Sequence, residues 1–162
     1  MPLSDSAYEQ EILDAVAAYG WFCTAVHDPD GRAPDFAYSV GFTETLRQPE
    51  VIVFGLPHEV AHGLLWEVFR RLQGGKSLED GQVWSHLLEG YDGVLRRVHP
   101  SQVIREHLNS AMWFWGDPAQ RGEPLSAFQL VWPDRAGRFP WDRGCVQAVR
   151  DRQPALYLPR EG

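Results

Sequence analysis

The 162-residue chain predicts an α+β domain: a largely antiparallel sheet packed by two to three helices, with a half-open barrel as the variant. Three observations carry this. Strand-like and helix-like runs are mixed without the regular strand–helix alternation of a parallel α/β fold. The run FAYSVGF at 36–42 alternates large and tiny residues with a period of two. The stretch from Pro57 to Gln73 repeats apolar residues at helical spacing, through Val60, Ala61, Leu64, Leu65, Val68, Phe69 and Leu72.

Taken in order, Ser6 and Glu9 have the spacing of a capping box, and Tyr8, Ile12, Val16 and Tyr19 follow at helical intervals. This predicts a helix over 6–19, stopped by Gly20. The sheet should start at about residue 21, with Trp21 to Val26 as its first strand. A polar connection, His27 to Asp35, then contains the turn pair Asp30-Gly31.

In the next strand Phe36, Tyr38, Val40 and Phe42 form a bulky face and Ala37, Ser39 and Gly41 a tiny one. A face without bulk admits a close neighbour, either a packed helix or a ligand. Val51 to Phe54 is apolar on both faces and reads as a central strand. Pro57 suits the first position of the long helix, which Gly74-Gly75 closes.

The region 76–90 has no clear period, Tyr91 to Val98 reads as a strand, and a helix should run from Pro100-Ser101 to Trp115. Ala127 to Trp132 is the last full strand. The loop-rich segment 133–162, with Pro140, Pro154 and Pro159, leaves room for a short edge strand at Leu156 to Leu158.

Length supports a single globular domain over 1–162, large enough for a core of its own. The 44% hydrophobic and 12% aromatic content argues for a folding sequence rather than a disordered one. No apolar run reaches membrane-span length and the N-terminus lacks a secretory pattern, so a cytoplasmic location is expected. Two cysteines, Cys23 and Cys145, are too few for a disulfide framework and read as reduced thiols. A net charge of −7 argues against general nucleic-acid binding, which needs a concentrated positive face. That charge is uneven: residues 1–81 hold 5 basic and 13 acidic side chains, against 10 and 9 in the remainder.

Three patterns could carry chemistry. His58-Glu59-Val60-Ala61-His62 matches HExxH, in which two imidazoles one turn apart hold a metal and the glutamate polarises its water. Here Glu59 falls toward the solvent side, and His86, Glu89 and His99 are the third-ligand candidates. Cys145 would become a thiolate nucleophile if an imidazole, from His27, His99 or His107, lay beside it. The segment QLVWPDRAGRFPW at 129–141 sets Arg135 and Arg138 among Trp132, Phe139 and Trp141, groups suited to an anionic or ring-bearing ligand. The same arginines could instead pair with Asp134 and Asp142. No P-loop, dinucleotide fingerprint, nucleophile elbow or paired-cysteine spacing is present.

Gly20-Trp21, FAYSVGFTE, PEVIVFGLP, Gly75 and QLVWPDRAGRFPW together resemble a bacterial family known as domain of unknown function 4262, from about Tyr19 to Leu158. The resemblance implies a single bacterial cytosolic domain. It brings no activity, cofactor or catalytic residue with it, and its helix after Gly-Leu-Pro does not require both His58 and His62.

The expectation is therefore a binding or interaction module for a small anionic or aromatic ligand. Its pocket would lie between the 36–42 strand and the 129–141 segment, with Ser39, Trp132, Arg135, Arg138 and Trp141 as binding residues. The alternatives are a hydrolase, metal-dependent through His58, Glu59 and His62 or thiol-dependent through Cys145, and a structural homodimer joined through an aromatic patch.

Overall fold

A computed structural model describes residues 2–161. A six-stranded sheet runs through the middle, in the order β1-β2-β3-β6-β5-β4. Its strands are β1 (Phe22–Val26), β2 (Phe36–Val40), β3 (Glu50–Phe54), β4 (Gln82–Leu88), β5 (Tyr91–Arg97) and β6 (Ala127–Val131). Every neighbouring pair is antiparallel except β3 and β6, which run parallel with Val51 beside Phe128. The sheet is not closed into a barrel.

Both faces are covered. On one, α3 (His58–Gln73) buries Ala61, Leu65, Val68 and Phe69 against Ala37, Val51, Val53, Phe128 and Leu130. On the other, Ile12 and Val16 of α1 (Ala7–Tyr19) and Leu108, Ala111 and Phe114 of α4 (Arg105–Trp115) pack with Tyr38, Val40, Ile52 and Phe54. The small face of β2 therefore receives α3, the packed-helix option that its lack of bulk allows. β3 and β6 are buried at every position, as an apolar-run strand covered above and below must be.

Several boundaries move. β2 stops at Val40 because Gly41 takes φ +111°, and Phe42 then opens the short helix α2 (Phe42–Thr45). The left-handed turn swings Phe42 through to the α3 side of the sheet, away from Phe36, Tyr38 and Val40. Pro57 caps α3 from outside its first turn. The patternless 76–90 region yields β4, whose pairing with β5 is irregular between Trp84 and Leu88.

The helix expected from 100 to 115 is broken: a 3₁₀ turn covers Pro100–Gln102, and α4 bends at Leu108. Just past that bend the Ser110 N–H donates to the Tyr38 hydroxyl at 2.9 Å, so the displaced amide is paired inside the core. A four-residue helix, α5 (Pro118–Arg121), precedes β6.

No strand forms at 156–158. The segment after β6 instead holds α6 (Gln147–Arg152), and Leu156 is pinned into the core by its N–H bond to Gln129 Oε1 at 3.0 Å. No helix among the described residues is long and apolar enough to cross a membrane.

Candidate functional site

The most unusual polar group in the core is Glu50, the first residue of β3, whose side chain is 0% exposed. One carboxylate oxygen accepts from Ser39 Oγ (2.8 Å) and the Phe42 N–H (3.0 Å). The other accepts from the Gly41 N–H (2.8 Å) and, at 3.4 Å, from Thr43 Oγ1. Burial pushes the carboxyl up to about 7, against the opposing pull of these donors. Ser39 Oγ in turn accepts the Val51 N–H at 2.9 Å, so one buried network fixes the turn from β2 into α2. Sequence reasoning missed Glu50, since a charged residue between Pro49 and VIVF reads as a solvated strand end.

Ser39 is thus 0% exposed and committed to Glu50. It lies level with Val51 and Phe128, and Trp132, just past the end of β6, stands four residues beyond Phe128, about 13 Å away along the strand direction alone. The structure does not bring Ser39 together with the 132–141 segment.

That segment is organised from within. Buried Asp134 accepts N–H bonds from Ala136, Arg138 and Val146 and pairs with Arg138 at 3.4 Å. These contacts hold its carboxyl below the usual carboxylate range. The Trp132 indole donates to the Phe54 carbonyl at 2.7 Å. Arg135 is exposed, and its carbonyl accepts from the Tyr91 hydroxyl. Trp141 stacks on Phe139 and meets Tyr157 edge-on, while the Arg96 guanidinium lies over both Trp141 and Tyr157. The cation-binding capacity of these rings is already used by the chain itself.

Cys145 is buried, with the Val146 carbonyl as its hydrogen-bond acceptor. Burial, followed by the nearby Asp134 charge, raises its thiol pKa, the reverse of what a nucleophile needs. The proposed imidazole partners are engaged elsewhere: His27 with Asp35, His99 with Ser101, and His107 edge-on against Phe54.

His58 and His62 do converge. Their rings lie parallel, 6.0 Å between centroids, and face a cleft of about 640 Å³ between α1 and α3. Its α3 wall is His58, His62 and Trp66, its α1 wall includes Glu11, Asp14 and Tyr19, and Trp21, Phe22 and Cys23 form the floor. Trp21 is the hub, with Trp66 edge-on at 5.2 Å, His62 at 5.7 Å and Phe69 stacked behind. Its indole nitrogen is buried without a hydrogen-bond partner among the described residues.

Burial and then the neighbouring His58 lower the His62 pKa, favouring the neutral ring at pH 7. Burial alone pushes the Cys23 thiol up to about 11. Glu59 stands on the other side of the helix, where it shares a shallow groove with His86 and Glu89. Among the described residues no group of three or more His, Cys, Asp or Glu is placed to hold a metal ion, so the imidazole pair has no third ligand.

A larger cleft of about 930 Å³ opens between α4 and the segment before β6. It gathers Arg97 and Arg105 with Glu9, Asp117 and Glu123, but neither imidazole nor thiol.

Comparison with known families matches residues 15–146 to the family described as Domain of unknown function (DUF4262). The chain belongs to this family. Within the DUF4262 match fall all six strands, α2 to α5, the Glu50 network and the aromatic and imidazole walls of the smaller cleft. Glu11 and Asp14 lie just before it and α6 just after. Neither the curated proteins nor the solved structures contain a match to this DUF4262 chain.

Proposed function

We propose that this DUF4262 chain is a cytoplasmic binding module whose ligand site is the cleft between α1 and α3. The observation that supports this reading is the convergence of His58, His62, Trp21, Trp66, Phe22 and Tyr19 on one mostly apolar concavity. Ligand sites are concave, dominated by apolar and aromatic walls, and carry few polar groups for orientation. A flat or apolar group stacks against Trp66 and the imidazoles, while Glu11 and Asp14 at the rim favour a positive end over a negative one. Of the anionic or aromatic ligand expected from the sequence, this reading keeps the aromatic option and sets the anionic one aside.

Tryptamine and indole-3-acetate carry one ring with opposite charges, so they test the site directly. In NMR titrations tryptamine should shift the His58, His62 and Trp66 side-chain resonances and bind more tightly than indole-3-acetate, and Trp66→Ala should abolish the effect. Unmoved cleft resonances at millimolar probe, or tighter binding of the acid, would refute the proposal.

A further inference from the structure

The cleft runs beside an unfinished sheet. β1 is the terminal strand, and no backbone hydrogen bond among the described residues reaches its outer edge from a turn or loop. The opposite edge is treated differently. There β4 carries an irregularity between Trp84 and Leu88 and a left-handed His86 (φ 55°), and Arg71 caps the Ser85 and His86 carbonyls at 3.0 and 3.3 Å. Irregularities and covering side chains are how sheet edges are kept from pairing. Within this sheet, then, one edge is blocked and the other is open and flanked by helices on both faces.

We infer that the outer edge of β1 takes an extended peptide from another protein as an added strand, seated in the α1–α3 cleft. This deepens the binding-module reading and rests on it. The main chain of the added strand supplies the donors and acceptors that β1 lacks, and its side chains alternate between two unlike walls. One set meets His58, His62 and Trp66 of α3 and is apolar or aromatic. The other meets Glu11, Asp14 and the small Ala15 and Ala18 of α1 and is basic. The acidic rim also selects against a second copy of this chain, since edge-to-edge self-pairing would bring Glu11 and Asp14 of two molecules together.

The test starts from heptapeptides selected on phage against the full chain and then synthesised. The expected winners alternate apolar and basic residues, protect β1 amides from hydrogen exchange, and weaken with Glu11→Gln and Asp14→Asn. N-methylation at alternate peptide residues in one phase should cost at least about tenfold in affinity, the loss expected from removing edge hydrogen bonds, while the other phase is tolerated. Selected peptides that leave β1 amides unprotected, or tolerate N-methylation in both phases, overturn the added strand. So does a failure to enrich any peptide, or β1 protection that depends only on protein concentration. If tryptamine still shifts the cleft resonances in those cases, the binding-module reading survives; if it does not, both fall together.

Discussion

Glu50 gives the sharpest quantitative expectation. Its ordinary carboxyl value of 4.5 rises to about 7 in the fold, so between these values the native state holds a proton that the unfolded chain has released. Stability then falls as pH rises through this window, by about 1.4 kcal/mol per unit and about 3 kcal/mol in total, and is flat above it.

Glu50→Gln removes the titration. Each carboxylate oxygen takes one backbone N–H, from Phe42 on one side and Gly41 on the other. Whichever way the amide sits, its NH₂ therefore faces one of them, at a pH-independent cost of about 1–3 kcal/mol. Urea unfolding of both proteins at half-unit steps from pH 4.5 to 8 gives the difference directly. The wild-type chain should lose about 3 kcal/mol relative to the variant across that range. A difference that stays flat, or grows in favour of the wild type as pH rises, would mean that the four donors outweigh desolvation and would refute the reasoning.

Other expectations follow from local geometry. Gly55→Ala places a methyl 2.7 Å from Arg152 Cβ and 2.9 Å from its carbonyl at a φ of +79°, so chemical denaturation should show a loss of about 2–4 kcal/mol. Asp134→Ala leaves the Ala136, Arg138 and Val146 amides without their acceptor; their hydrogen exchange should accelerate and stability drop by about 2 kcal/mol. The wild-type Asp134 contribution is present above the ordinary aspartate value and is lost as pH falls below it, because its folded pKa is depressed. Cys23 and Cys145, both with raised pKa values, should alkylate at pH 8 much more slowly in the native protein than in urea. Native rates equal to the unfolded ones would contradict their environments.

Much of the fold was written in the periodicity. The α1 and α3 stripes, the two-faced β2 and the doubly apolar β3 each state their local structure and how many faces they bury, because helix and strand periods are local properties. The tiny face of β2 announced a close neighbour without naming it, and α3 proved to be that neighbour. Where a single backbone angle decided the outcome, the pattern misled: Gly41 carries Phe42 out of the alternation and across the sheet.

The candidate site was half legible. The i, i+4 spacing showed that His58 and His62 share a helix face, while among the described residues no third His, Cys, Asp or Glu is placed with them to hold a metal ion. Ser39 and the 129–141 aromatics, the binding residues expected from the sequence, serve separate internal networks at opposite ends of the strands. What the sequence by itself determined was the set of amphipathic elements and the two sheet faces they cover, since burying apolar stripes is a local demand with few solutions. Only the tertiary structure decided that Glu50 is dry, that β4 is blocked while β1 stays open, and that α1 and α3 meet across that open edge. Those facts depend on contacts between residues far apart in the chain, where no local period carries information.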